Sequence, residues 1–265
     1  MTLNRHVPAR YSVSVPTLHF LPRGHDDPLT ALSLARVLLD SVREGRRPGA
    51  LRIYRPEPTV VFGGRDRFLT GFDEAVGKAR TAGFTPLLRT LGGRVAAYHH
   101  GSLVIDHVEP AHQMFTGTKA RFSSFGDMYV RALRSMGIDA RLGEIPGEYC
   151  PGEHSVNVAG KIKAIGTAQR VTKTGWLFSS SVVITDPAPI RSVLTEVEAA
   201  LGVDWDPATG GAISEVHPDV TVDAVERAFT AEYAREYDLE ASEFSAEEID
   251  AAAAYNSVSR LDSTC

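Results

Sequence analysis

The sequence predicts an α+β fold in which mixed or antiparallel sheets are flanked by helices. Two observations indicate this class: strand-like runs come in pairs with single helices between them, and strict alternation of strand and helix is missing. The chain has 265 residues, 43% of them hydrophobic and 23% charged, and its formal net charge is −5. This composition is typical of a folded globular protein and excludes a disordered chain.

The elements of the first half follow from apolar spacing and from the residues that end each run. Asp27 is a helix cap ahead of Pro28, and apolar residues at helical spacing continue to Arg43. Gly45 then ends this helix. The segments predicted after it are strands over 50–54 and 59–62, a helix around 72–82, and strands over 84–89, 95–98 and 103–107.

The second half is predicted in the same way. A helix with one apolar face passes through Phe122 and Tyr129 and ends at Gly137. The segments predicted after it are three strands of an antiparallel meander over 155–158, 164–171 and 176–184, a helix over 190–201, and two tail helices that begin near Thr221 and after the capping box Ser245–Glu248. We predict two regions, a catalytic domain over residues 10–201 and a C-terminal helical extension over 202–265 packed on it.

Composition and cysteine usage exclude several classes of function. The sequence has no uninterrupted apolar stretch of about 18 residues, so no membrane partner is expected. The 28 basic and 33 acidic residues are spread along the chain without a basic stripe, so no nucleic acid is expected either. The two cysteines, Cys150 and Cys265, do not make a disulfide framework, and we expect a reduced, cytoplasmic protein.

Paired glycines mark the first candidate segment, which runs from Arg89 to Gly101. Between two predicted strands, Gly92 and Gly93 would let the backbone approach a ligand closely, and their N–H groups can bind an anionic or carbonyl oxygen. A tight turn that only needs positive φ angles is the alternative. The pair His99-His100 follows, and because adjacent strand residues point to opposite faces, at most one of the two faces a given site.

Cys150 lies in the second candidate segment, where the Pro-Gly that follows it predicts a turn and an accessible sulfur. An accessible thiolate is a nucleophile, whereas a small buried side chain is the alternative for a free cysteine. A zinc site would need this single cysteine to act with scattered histidines such as His154, although structural sites use paired clusters. We therefore expect no metal site and no cofactor.

Lys163 lies in the third candidate segment, next to an apolar strand that contains Gly166. Lysines in sheets commonly lie at edges or face solvent. The alternative is a partly buried ammonium that polarises a carbonyl or balances a developing negative charge.

The three motifs occur in one order along the chain, as Arg-x-x-Gly-Gly, Tyr-Cys-Pro-Gly and Lys-x-x-Gly-x-x-Gln-Arg. Together they resemble the biotin/lipoate protein ligase and octanoyltransferase family, and the upstream Pro58–Gly64 is similar to that family's Pro-x-(apolar)₃-Gly strand. The resemblance covers residues 10 to 201 and implies a fold like the catalytic domain of the biotin/lipoate protein ligases. The Tyr-Cys-Pro-Gly segment resembles the cysteine-dependent branch of the family.

The resemblance also implies roles for single residues. It implies Cys150 as the nucleophile that forms an acyl thioester, and Lys163, with Lys161 as the alternative, as the lysine that contacts the acyl carbonyl. His154 or His99 would accept the proton of the incoming amine. The residues implied to bind the acyl group are Arg89, Gly92, Gly93 and Gly166. The chain departs from the family pattern at Ser155, where many relatives have an aspartate, and at Tyr98, where ligases have a histidine.

The activity implied by the resemblance is the transfer of an octanoyl or lipoyl group through Cys150 to a lysine of a lipoyl carrier domain. The implied partners are the glycine cleavage H protein, the E2 subunit of a 2-oxoacid dehydrogenase, and acyl carrier protein as a further donor. Two alternatives stay open. One is an ATP-dependent lipoate or octanoate ligase on the same fold, which needs no cysteine, and the other is a non-catalytic protein that binds acyl carriers.

Overall fold

Two sheets and six helices make up the part of the chain that the computed structural model describes, which is residues 15–22, 27–111 and 117–261. The elements of the first half are β1 (Thr17–Pro22), α1 (Pro28–Arg43), β2 (Ala50–Tyr54), β3 (Thr59–Phe62), α2 (Phe72–Thr81), β4 (Thr85–Leu88), β5 (Ala96–Tyr98) and β6 (Ser102–Pro110). Those of the second half are α3 (Thr118–Ser135), β7 (Ala140–Leu142), β8 (Val156–Val158), β9 (Ile162–Val171), β10 (Gly175–Val183), α4 (Pro187–Leu201), α5 (Val222–Tyr233), β11 (Asp238–Ala241) and α6 (Ala246–Ser259). Cys265 and residues 10–14 of the predicted catalytic domain lie outside the described residues.

The larger sheet has eight strands in the order β11-β1-β2-β6-β10-β9-β8-β7. The β11–β1 and β1–β2 pairs are parallel, and every pair from β2 to β7 is antiparallel. The smaller sheet has the order β4-β3-β5, with one parallel and one antiparallel pair. The predicted α+β class with mixed sheets and flanking helices is therefore confirmed.

Local signals predicted most elements well, and the missed ones are strands with weak signals. Helix α1 has the predicted bounds, with the Asp27 carboxylate accepting from the N–H groups of Leu29 and Thr30. The meander of β8, β9 and β10 is also confirmed. The strands β1, β7 and β11 were not predicted, since two of them have only three or four residues and the exposed β11 has no apolar face. The tail thus adds an edge strand to the larger sheet besides its two predicted helices.

Strand alternation separates two packing layers on either side of the larger sheet. Leu103 and Ile105 of β6 pack with α3 and α5 in one apolar cluster, whereas Val104 belongs to a second cluster that includes the smaller sheet and α4. The site described below lies on this second face. None of the described helices is long and apolar enough to cross a membrane.

A buried ion pair ties helix α6 of the tail to the segment that follows α1. Arg47 donates from Nε to Glu248 Oε1 at 2.8 Å and from Nη2 to Glu248 Oε2 at 2.6 Å, and both side chains are 7% exposed. Ser41 Oγ also donates to Glu248 at 2.6 Å, while the Glu248 carboxylate completes the predicted capping box of α6 with Ser245. Burial alone would raise the pKa of Glu248, but the hydrogen bonds from Arg47, Ser41 and the Ser245 N–H lower it to about 2.

We expect Glu248→Gln to lower the free energy of unfolding by roughly 3 kcal/mol, because it leaves the buried Arg47 guanidinium without a compensating charge. Chemical denaturation at pH 7 measures this loss. The matched control is Glu247→Gln, which changes the neighbouring exposed carboxylate and should cost less than about 0.5 kcal/mol. Equal losses in the two variants would contradict a special contribution of Glu248.

Candidate active site

A cavity of about 470 Å³ is lined by residues of both sheets and of α1. Its apolar walls include Leu32, Val61, Ala96, Val104 and Ala168. Such a cavity suits an aliphatic group, because each buried methylene contributes about 0.8 kcal/mol of binding. All four residues that the sequence predicted to bind an acyl group line it: Arg89, Gly92, Gly93 and Gly166.

Cys150 lies in the wall of this cavity, in the connection between β7 and β8, and its side chain is partly exposed. Its φ angle of 43° is in the left-handed region, which a non-glycine residue keeps only where surrounding contacts hold it. The backbone N–H of Arg94 donates to Cys150 Sγ at 3.2 Å. The turn therefore places the sulfur against the paired-glycine loop, with a backbone donor aimed at it.

Gly93, the residue before Arg94 in this loop, also lies close to the sulfur. A Cβ atom at Gly93 would lie 3.5 Å from Cys150 Sγ and 2.6 Å from Arg89 Nη2. The φ angle of Gly93 is 89°, and the same Arg89 Nη2 donates to Arg94 O at 2.6 Å. The positive φ angle thus favours glycine at position 93, as a tight turn requires, and the binding of a ligand oxygen by this loop stays a prediction.

Lys163 holds the Cys150 turn in place from the interior of the protein. Its side chain is only 3% exposed. Its Nζ donates to Glu148 Oε1 at 2.9 Å, to Tyr149 O at 2.9 Å and to Cys150 O at 2.6 Å. Because an ammonium has three N–H donors, all of them are occupied by the turn. The structure thus shows the buried ammonium that was one of the two expectations for this lysine, and its partners belong to the residues around the thiol.

Glu148 is the second half of this buried pair, and its side chain is 0% exposed. Besides Lys163, its carboxylate accepts from Ser155 Oγ at 2.6 Å, from the Ile145 N–H at 3.0 Å and from the Gly152 N–H at 3.3 Å. These bonds close the segment from residue 145 to residue 155 around one carboxylate. The departure at Ser155 has a physical reason, since an aspartate at this point would place a second negative charge beside Glu148.

Lys163 and not Lys161 reaches the site, because Lys161 lies in the turn before β9, whereas a bulge in β9 brings Lys163 to the cavity that Gly166 also lines. Along the β8–β9 pair, Val156 lies opposite Ile165 and Asn157 opposite Lys163, so Ala164 is an extra residue on β9. Such a bulge shifts the facing of the side chains by one position. Lys161 lies outside β9 and is exposed, away from the cavity lining.

The two candidate histidines lie in different places. His154 lines the cavity, and its ring stacks on Phe122 with centroids 5.7 Å apart. His99 is 5% exposed and lies outside the cavity lining, where its Nδ1 accepts from the Gly101 N–H and its Nε2 donates to Asp186 O, both at 2.9 Å. The structure therefore brings His154 and not His99 to the site. Within the described residues, no group of three or more His, Cys, Asp or Glu side chains is arranged to hold a metal ion.

Sequence reasoning missed Glu148, Arg94 and Glu198. Glu148 had a signal, because a buried lysine needs a compensating acid and Glu148 is only two residues before Cys150. Glu198 of α4 is 0% exposed, and neither carboxylate oxygen has a hydrogen-bond partner among the described residues. Burial raises the pKa of Glu198 from 4.5 to about 7. The negative charge of Asp66 raises this pKa further, and the positive charge of Arg94 opposes the shift.

Comparison with known proteins gives one family match and several relatives. The family model described as the lipoyl protein ligase A/B catalytic domain matches residues 27–234. The chain is 27% identical over 164 residues to an octanoyl-GcvH:protein N-octanoyltransferase of Geobacillus kaustophilus, covering 60% of this chain and 58% of that protein. It is 32% identical over 129 residues to the protein of the same name from Exiguobacterium sibiricum. This match covers 48% of this chain and 45% of that protein. The chain thus spans about half the length of the curated relatives it matches.

Solved structures match over nearly the whole chain. A lipoate-protein ligase A bound with ATP has a TM-score of 0.69 at 21% identity and covers 91% of this chain and 93% of its own. A bipartite lipoate protein ligase from Thermoplasma acidophilum, solved with its E2 lipoyl domain, has a TM-score of 0.71 at 19% identity. The match covers 92% of this chain and 93% of that one. These likenesses confirm the predicted fold type.

We expect Lys163→Met to lower the free energy of unfolding by about 3–5 kcal/mol, because it leaves the Glu148 carboxylate buried without its cation. Chemical denaturation compares it with Lys161→Met, which changes the exposed lysine two residues away and should be nearly neutral. In the double variant Glu148→Gln/Lys163→Met the loss should be smaller than the sum of the single losses, because no buried charge is then left unpaired. Additive losses would contradict the pairing.

We expect Glu198→Gln to stabilise the protein at pH 8. A raised carboxyl pKa means that the folded state loses stability as the pH rises from about 4.5 to about 7, and an uncharged amide removes that loss. Unfolding at pH 8 should therefore cost roughly 3 kcal/mol more in the variant than in the parent, and at pH 4 the difference should vanish. Glu196→Gln, on the exposed side of the same helix, is the control. A pH-independent difference would contradict the assignment.

Proposed function

Because the chain belongs to the lipoyl protein ligase A/B catalytic domain family, we propose that it is an acyltransferase that carries an octanoyl or lipoyl group on Cys150 and passes it to a lysine of a lipoyl carrier domain. The observation that carries the proposal is the position of Cys150. Its sulfur lies in the wall of an apolar cavity, and a backbone N–H of the paired-glycine loop donates to it. The names of the relatives, octanoyltransferases that act from GcvH to protein, support the same acyl group and the same kind of partner.

In the first step, Cys150 Sγ forms a bond to the acyl carbon of the donor. The bond between that carbon and the leaving group breaks, and the leaving group takes a proton. This leaving group is a lysine amine when the donor is the H protein and a thiol when the donor is acyl carrier protein. Because the Arg94 N–H bonds to Sγ before the attack, it lies close to the carbonyl oxygen that becomes negative during it. The cavity meanwhile holds the aliphatic chain.

In the second step, the amine of the acceptor lysine attacks the thioester carbon, a C–N bond forms, and the C–S bond breaks. The amine must lose a proton to attack, and His154 in the cavity wall is the proposed acceptor of that proton. We do not assign this role to His99, because both of its ring nitrogens are engaged away from the cavity.

Lys163 takes part mainly by holding the turn. Its Nζ lies 2.6 Å from Cys150 O, so its positive charge is next to the reacting residue while its three N–H groups keep the backbone in place. Direct contact of Lys163 with the acyl carbonyl stays a prediction, and it requires one of the turn carbonyls to release the ammonium. The nearest donor to the sulfur itself is the Arg94 N–H.

The test is intact-mass spectrometry after the protein is mixed with an octanoylated H protein or octanoylated acyl carrier protein. We expect one added octanoyl mass, and we expect that it is absent in Cys150→Ser and is passed on when an unmodified lipoyl domain is added. Cys265→Ser is a matched control, because it removes the other cysteine of the chain and should leave the adduct intact.

Two results would decide against the proposal. ATP-dependent modification of a lipoyl domain with free octanoate, undiminished in Cys150→Ser, would establish a ligase. Tight binding of a carrier protein without any adduct would indicate a non-catalytic binding protein.

A further inference from the structure

The segment between β3 and α2 presents an aromatic side chain to solvent. Phe68 is 88% exposed, more than any other large hydrophobic side chain among the described residues. Arg65 and Arg67, on either side of a buried residue, are exposed as well. One exposed apolar side chain is common on protein surfaces, but aromatic and arginine side chains together are the types enriched in protein interfaces. We call the exposed side chains of Arg65, Arg67 and Phe68 the Arg-Phe patch, and the proposed transfer steps do not use it.

Backbone and side-chain bonds anchor this segment. Residues 66–68 form a single 3₁₀ turn, in which the Leu69 N–H donates to Asp66 O at 3.0 Å. The Asp66 side chain is 0% exposed, and its Oδ2 accepts from the Gly63 N–H at 2.8 Å. Its Oδ1 lies 3.2 Å from Arg94 Nε in an ion pair. Because the turn is already fixed, a partner that covers Phe68 would lose little free energy in ordering it.

The same anchor places the Arg-Phe patch beside the mouth of the cavity. Arg94, the cation that pairs with Asp66, is the residue whose backbone N–H donates to Cys150 Sγ. Gly63, at the start of the segment, packs so closely on the paired-glycine loop that a Cβ atom on it would lie 2.1 Å from Gly93 O. Gly93 is exposed and lines the cavity, so it belongs to the rim of the mouth. The segment that carries the patch is therefore in contact with this rim.

The surface charge of the patch is positive. Residues 64–70 contain one acid, Asp66, and it is buried against Arg94, so the exposed charges of this stretch are the guanidinium groups of Arg65 and Arg67. A complementary surface is acidic and has an apolar place for the Phe68 ring. A standard interface buries about 800 Å² on each partner, which corresponds to a disc about 30 Å across. A protein whose lysine reaches Cys150 through the mouth would therefore also cover the residues next to the rim.

We infer that the Arg-Phe patch is the docking surface for the carrier domain that receives the acyl group, and that it binds an acidic face of that domain beside the acceptor lysine. The inference rests on the proposed function and adds the surface by which the protein partner is recognised. Arg65 and Arg67 attract the acidic face, and the Phe68 ring is covered by it. The acyl chain lies in the cavity, so the patch acts on the protein partner and not on the acyl group.

The test separates recognition of the carrier from the chemistry at the thiol. Cys150 is first loaded from a small thioester, the N-acetylcysteamine ester of octanoate, and an unmodified lipoyl domain is then added, with intact mass following both steps. We expect Phe68→Ser to load at the parent rate and to pass the octanoyl group on about ten-fold more slowly at limiting lipoyl domain. Ile249→Ser removes another exposed apolar side chain, on α6, and should match the parent in both steps.

Charge reversals test the sign of the complementarity. The double variant Arg65→Glu/Arg67→Glu should slow transfer to the lipoyl domain about ten-fold at low salt, and the difference from the parent should shrink at about 0.5 M salt, because ions screen exposed charges. Glu74→Lys reverses an exposed acid at the start of α2 and should leave transfer equal or faster. Arg227→Glu is the control for surface charge and should change neither step, since α5 packs on the other face of the larger sheet.

The outcomes separate this inference from the proposed function. Parent-like transfer in Phe68→Ser and in the double arginine variant overturns the inference and leaves transfer through Cys150 intact. Slow loading from the small thioester in Phe68→Ser also overturns it, because the patch would then act on the thiol and not on the carrier. Transfer that is slowed as much by Glu74→Lys as by the double arginine variant overturns the acidic partner. Absence of loading in the parent overturns the proposed function and this inference with it.

Discussion

The structure of the site depends on one buried ion pair, between Glu148 and Lys163. The pair is out of solvent, so each charge is tolerated only because the other is present. The remaining donors of Lys163 and the remaining acceptor capacity of Glu148 are used on the backbone and the Ser155 hydroxyl around the thiol. This holds Cys150 in a left-handed conformation and aims its sulfur at a backbone donor of the neighbouring loop. The position of the thiol therefore depends on this ion pair.

The second constraint is the space between the sheets. Small or apolar residues on the facing strands leave a cavity where two sheets of unequal size meet, and the bulge in β9 turns one lysine toward it. Val104 and Asp106, two residues apart on β6, both line this cavity. Because side chains two residues apart on a strand point to the same face, both lie on the cavity side of the larger sheet.

Local signals in the sequence were enough for the elements with caps and regular apolar spacing, such as α1 and α6, and for the meander of β8 to β10. They failed for β7 and β11, whose few residues have little pattern and are placed by the strands they pair with. At the site, motif order indicated Cys150 and the paired glycines. It did not distinguish Lys163 from Lys161, because the start of β9, which lies between them, depends on strand pairing. His99 lies after β5 and not in a strand as predicted, and only the three-dimensional positions of the two connecting segments separate it from His154.

The edge position of β11 limits how the chain can be shortened. A fragment ending near residue 201 would lack the strand that pairs with β1, and the N–H and C=O groups of β1 would then face water in a row. It would also lose α6, and with it the Glu248 carboxylate that compensates Arg47. Bare strand edges recruit other chains, so a trimmed version made for crystallisation or labelling would tend to self-associate. The last quarter of the sequence is therefore part of the folded domain, because it covers one edge of the larger sheet and supplies the partner of a buried charge.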